Sequence, residues 1–79
     1  MKKMDERNLR LLDEATEVGD YFSARQALEK LMNHLIIKGQ STKYVPHVNR
    51  LSYILRQSSH YKVYEKGGIQ SHTMYERII

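Results

Sequence analysis

Cysteine and tryptophan are absent from this 79-residue chain, proline occurs once and glycine four times. Without Cys there is no disulfide framework, no thiolate zinc site and no cysteine nucleophile, and a reducing intracellular setting is compatible. So little Pro and Gly excludes a fibrous or disordered chain. No apolar run approaches the roughly 18 residues needed to cross a bilayer, so no membrane partner is expected. Lys2 and Lys3 are followed at once by Asp5, Glu6 and Arg7, which is not how a signal peptide begins. What remains is 41% hydrophobic residues, enough for one small core. A domain of this size has a thin stability margin, and a partner or dimer contact would help it.

Positive charge outnumbers negative, with 13 Lys and Arg against 9 Asp and Glu. The imbalance is uneven. Residues 1–20 carry a net −2, residues 21–40 a net +2 and residues 41–79 a net +4. An acidic first segment with a basic second half suits a polyanion approaching one side of the molecule. An ordinary solvated surface is the plain alternative.

Helical periodicity comes first. From about Asp5 to Val18, Met4, Leu11, Leu12, Ala15 and Val18 share one arc, with Arg7, Arg10 and Glu14 opposite. Gly19 is a natural left-handed stop. Asp20-Tyr21-Phe22 suits a very short strand. Ser23 and Gln26 have capping-box spacing and predict a second helix over 24–38, closed by Gly39. Its inner face is Ala24, Ala27, Leu28, Leu31, Met32 and Leu35, which leaves Ile36 and Ile37 in need of cover. Pro46 suits the start of a third helix over 46–57, with Val48, Leu51, Ile54 and Leu55 inward and His47 as a packing or capping residue. Tyr61-Lys62-Val63-Tyr64 then alternates as a strand, Lys66-Gly67-Gly68 is turn chemistry, and residues 72–78 supply a return strand. The fold class expected is α+β, mostly helical: three helices followed by a two-stranded hairpin over 61–78.

Helix three carries the most information. Opposite its inner face lie Asn49, Arg50, Tyr53, Arg56 and Gln57, and no acid occurs between Pro46 and Gln57. Arg grips guanine O6 and N7 or a phosphate with two N–H groups, and Asn and Gln do the same at adenine. Tyr bonds a phosphate or packs on a sugar or base. A solvated face that happens to lack acids is the bland reading.

These elements, in this order, resemble a winged helix-turn-helix domain. Residues 21–28, Tyr21-Phe22-Ser23-Ala24-Arg25-Gln26-Ala27-Leu28, resemble the entry to its second helix. Residues 48–56 resemble its recognition helix, and Tyr61 to Arg77 its wing. The eight-residue connection Lys38 to Val45 is longer than the tight turn of simple helix-turn-helix proteins. The resemblance implies that helix three enters the major groove of double-stranded DNA, with Asn49, Arg50, Tyr53, Arg56 and Gln57 toward bases or phosphates. It implies that Lys43 and Tyr44 approach the backbone just before that helix. The wing would offer Lys62, Lys66, Gln70 and His72 to flanking phosphates. Such short domains are similar to small prokaryotic, archaeal or viral regulators. That implies a transcriptional regulator in the cytoplasm of a prokaryotic cell or a virus-infected host cell.

Catalysis and metal binding find little support. His34, His47, His60 and His72 lack ligand spacing, and a zinc site from His60 and His72 across the hairpin is the only arrangement to consider. No acid is placed in sequence to orient His60 beside Ser58 and Ser59. Asp13, Glu14 and Glu17 read as a solvated face. The expectation is therefore no enzyme, no cofactor, no metal and no small-molecule ligand. Substituting Arg50 or Arg56 should weaken DNA binding without loss of stability. A homodimer is expected through the first helix, where Leu9 lies off the stripe, or through Ile36, Ile37, Ile78 and Ile79. Two alternatives stay open: a protein-interaction module on the same fold, and a structured-RNA binder.

Overall fold

The amphipathic first segment folds as α1, Lys3–Ala15, in a computed structural model that describes residues 2–65 and 73–79. Asp5 and Glu6 lie in its first turn, where the helix dipole favours negative charge. The Asp5 carboxylate also accepts the Lys2 backbone N–H at 3.4 Å. The helix stops earlier than the periodicity predicts. Thr16 takes an extended backbone and its Oγ1 donates to the Leu12 carbonyl at 2.9 Å. Val18 thus lies beyond the helix and is 64% exposed. Met4 is exposed as well, because the buried face of α1 runs through Asp5, Asn8, Leu11 and Leu12. Its first half is polar and paired to other elements, which a purely apolar stripe misses. Gly19 has φ +99 in the following turn, and its N–H donates to the Arg77 carbonyl at 2.8 Å.

Strand β1, Tyr21–Ser23, runs straight into α2, Ala24–Ile37. Ser23 belongs to the strand and caps the helix: its hydroxyl accepts the Gln26 N–H at 3.2 Å, and Gln26 Oε1 accepts the Ser23 N–H at 2.9 Å. The other end closes as a Schellman motif. Gly39, at φ +71, donates to Ile36 O, and Gln40 donates to Leu35 O. Ala27, Leu31 and Leu35 are buried on the expected face, whereas Met32 is exposed. Helix α3, Val48–Gln57, begins two residues later than expected. His47 is its N-cap, with Nδ1 accepting the Asn49 N–H at 3.2 Å, so Pro46 stands just outside the helix. Leu51, Ile54 and Leu55 are buried.

Two further strands, β2 (Tyr61–Tyr64) and β3 (Met74–Arg77), pair antiparallel with Val63 opposite Tyr75. The expected two-stranded hairpin is part of a larger sheet. β3 also pairs with β1, Phe22 opposite Tyr75, giving a three-stranded antiparallel sheet in the order β1-β3-β2. The short strand before α2 offers its backbone donors and acceptors to β3, a long-range pairing that local periodicity does not reveal. About half of the chain is helical, so α+β holds but "mostly helical" does not. Lys66, Gln70, His72 and Gly67-Gly68, where a turn is expected, lie outside the described residues.

The pleat sends Phe22, Tyr61 and Tyr75 inward, against Leu11 and Leu12 of α1, Ala27, Leu31 and Leu35 of α2, and the three buried residues of α3. The Ser52 hydroxyl and Tyr75 hydroxyl hydrogen-bond, tying α3 to β3. Leu9 is half-buried and packs against this core. Ile36 and Ile37 are 62% and 83% exposed, and Ile78 and Ile79 are also exposed. Among the described residues no helix is long and apolar enough to cross a membrane.

Candidate nucleic-acid interface

Burying Leu51, Ile54 and Leu55 forces the rest of α3 away from the core. Asn49, Tyr53, Arg56 and Gln57 are exposed, and Arg50 is half-buried at the edge of the same face. The N-terminal half of this helix borders a shallow depression of ≈ 350 Å³ with Ser23, Arg25, Asn49, Ser52, Thr73 and Tyr75 in its lining. That depression joins the start of α2 to α3 and β3.

The two guanidinium groups of α3 have partners that the sequence does not announce. Arg50 Nε donates to Asp5 Oδ1 at 3.2 Å, and its Nη2 donates to Asp5 Oδ2. Asp5 is 4% exposed and lies on α1, far away in sequence. This hydrogen bond from Arg50 holds the Asp5 carboxyl below its ordinary value of 3.8, against the opposing effect of burial. The Asp5 hydrogen bond raises Arg50 in turn. The Arg50 Cζ stands 4.7 Å from the Tyr53 ring centroid, a cation–π contact one helical turn along. Arg56 Nη1 pairs with Glu65, just beyond β2, and that pairing raises Arg56. The absence of acids within α3 therefore does not leave its cations unpaired; α1 and the end of β2 supply the acids.

The other expected contacts are more scattered. Lys43 and Tyr44 are exposed, with the Lys43 Nζ 5.7 Å from the Tyr44 ring centroid. The Tyr44 carbonyl accepts Asn8 Nδ2 at 3.5 Å, which ties this loop to α1. Lys62 lies on the sheet face turned away from the helices, 5.1 Å from the Tyr64 ring centroid. Tyr64 donates to Glu76 Oε1 at 2.6 Å, and this bond raises its phenol above the ordinary value. Tyr21 meets Tyr64 edge-on at 5.7 Å. Lys66 lies outside the described residues.

A second polar cluster has a different role. Asp13 is not a solvated acid. Its Oδ2 stands 3.0 Å from His60 Nδ1, and its Oδ1 accepts the Tyr61 hydroxyl at 2.6 Å. Contrary to the sequence reading, an acid does orient His60. Ser58 Oγ, however, accepts the His60 backbone N–H at 3.2 Å and not a ring hydrogen. Burial, then the bond to Asp13, raises the Tyr61 phenol strongly. Next to this cluster, Arg77 Nη1 donates to the carbonyls of Asp13 and Thr16 and to Thr16 Oγ1. These are the carbonyls that α1 leaves without a helical partner. Among the described residues no group of three or more His, Asp or Glu side chains is arranged to hold a metal ion, and His72 lies outside them.

Comparison with protein-family models, with curated proteins and with solved structures gives no match to this chain.

Proposed function

We propose that this chain is a winged helix-turn-helix domain that binds double-stranded DNA as a transcriptional regulator. The observation that carries the reading is the outward side of α3. Asn49, Tyr53, Arg56 and Gln57 stand exposed, with half-buried Arg50 at the edge of the same face, on one helix that contains no acid of its own. The element order α1-β1-α2-α3-β2-β3, with β3 between β1 and β2, supports it. In this reading α3 lies in the major groove, where Asn49 and Gln57 can pair with adenine and the arginines with guanine or phosphate. Lys43 approaches the backbone ahead of α3, and Lys62 with Lys66 meets flanking phosphates. A homodimer through Ile36 and Ile37 would let two copies read two half-sites.

Selection of bound duplexes from a random DNA pool tests the reading. An enriched motif with affinity falling steeply in salt is the expected result. No enrichment, with salt-insensitive retention of protein partners, overturns it. One observation favours that second reading, a protein-interaction module: both arginines of α3 already have acid partners while Ile36 and Ile37 lie open. Competition between duplex DNA and structured RNA separates the remaining polyanion.

A further inference from the structure

We infer that Asp5 is a positioning residue: a carboxylate on α1 that determines which edge of the Arg50 guanidinium α3 presents to DNA, and so tunes base preference. The inference rests on the duplex-binding reading above.

A guanidinium has two edges that can bind in bidentate fashion. One consists of Nε and one terminal nitrogen, the other of the two terminal nitrogens. Asp5 takes the first, through Arg50 Nε at 3.2 Å and Nη2. This pairing uses neither Nη1 hydrogen and only one Nη2 hydrogen, so the terminal edge remains for a ligand. That edge matches guanine O6 and N7, or two phosphate oxygens. The Tyr53 ring centroid lies 4.7 Å from Cζ, so the ring covers the group from one side. Asp5 itself cannot wander, because it is buried on α1 and accepts the Lys2 N–H as well. The paired edge is thus set before any ligand arrives.

Charge follows the same logic. An arginine without a counter-ion attracts every phosphate alike. An arginine paired with a buried carboxylate has its net charge largely neutralised while its remaining N–H groups keep their direction. Asp5 therefore trades general attraction for directed recognition, which separates base contacts from phosphate contacts.

The test uses the whole chain with four proteins: wild type, Asp5→Asn, Arg50→Ala and the double variant. Each is titrated with the selected duplex and with a random duplex at several salt concentrations, and far-UV circular dichroism checks folding. Asp5→Asn should lower the preference for the selected duplex about tenfold, the scale of one bidentate base contact. It should steepen the salt slope on random duplex by about one, as a released cation gains a phosphate. In the Arg50→Ala background, Asp5→Asn should change neither quantity. Equal weakening on both duplexes, with unchanged preference, would reduce Asp5 to a structural residue and overturn the inference. Should Asp5→Asn fail to fold, Asp5→Glu keeps the charge but displaces the carboxylate by one methylene: lost preference with a retained salt slope supports the inference, and retained preference overturns it. A wild type that selects no duplex removes the DNA reading and this inference with it. A selective wild type with an indifferent Asp5→Asn removes the inference alone.

Discussion

Two arginines hold α1 at its opposite ends, and they do so differently. Arg77, on β3, sends its Nη1 donors into the Asp13 and Thr16 carbonyls where the helix stops. Arg50, on α3, grips Asp5 in the first turn with one edge and stands at the rim of an exposed face. Around Arg77 the surroundings are closed: Asp13 bonds to His60 and Tyr61, and Thr16 and Tyr61 are buried. Around Arg50 they are half open, with Asn49, Tyr53 and Gln57 exposed nearby on α3. The same side chain thus works as a helix cap in one place and, in the proposed reading, as a tethered recognition group in the other. The donors that folding uses and the donors left over distinguish the two roles.

The widest separation should come from Arg77→Ala. It leaves helix-end carbonyls without their donor and should cost roughly 2–3 kcal/mol in urea unfolding. Arg77→Lys should restore only part of it, since an ammonium ends one bond short of the Nη1 position. A loss below about 0.5 kcal/mol for Arg77→Ala would erase the contrast.

The opposite behaviour is expected on α3. Asn49→Ala and Gln57→Ala should stay within about 0.5 kcal/mol of wild type in urea, as exposed substitutions do. Affinity for the selected duplex should fall about tenfold in titrations by fluorescence anisotropy. Arg50→Ala belongs to both classes. It weakens binding, and it also lowers the melting temperature, because Asp5 stays buried without its partner. This reverses the sequence expectation of unchanged stability.

Acid unfolding sharpens the Arg50 side. Asp5 is held below its ordinary value of 3.8, so its contribution is complete above that value and is lost as pH falls through the lower folded value. Urea midpoints between about pH 5 and pH 3 should therefore fall more for wild type than for Asp5→Asn. Parallel curves would mean that the pair contributes nothing to folding.

The smallest effect belongs to Lys62, on the far face of the sheet. Lys62→Ala should reduce the salt slope by about one and weaken selected and random duplexes alike. A change in base preference would place Lys62 in sequence reading.

The helices were legible in the sequence because each has a local signature. Ser23 with Gln26 marks the start of α2, Gly39 its end, and Leu51, Ile54 and Leu55 the buried side of α3. The outward α3 residues followed from the same arc. What escaped was pairing between distant segments. Nothing near Asp5 indicates Arg50, nothing near Arg56 indicates Glu65, and β1 meets β3 across more than half the chain. Asp13 looked like surface because amphipathic patterning assigns charge to solvent, whereas His60 and Tyr61 close over it. Val18 was misplaced because a helical projection continued past a stop made by Thr16.

The position of β3 has a consequence for synthesis. It is the middle strand of the sheet, yet it follows every other element in chain order. Until Met74 to Arg77 leaves the ribosome, β1 and β2 have no strand between them, Tyr75 is missing from the core and the end of α1 lacks Arg77. The backbone bonds of the three helices are local, but helices of 10 to 14 residues are marginal until tertiary packing supports them. The sheet cannot form before then, and closing it joins residues separated by most of the chain, which is the slow kind of contact. The domain should therefore resist protease only after its last strand has emerged, in one late step and not by gradual accretion.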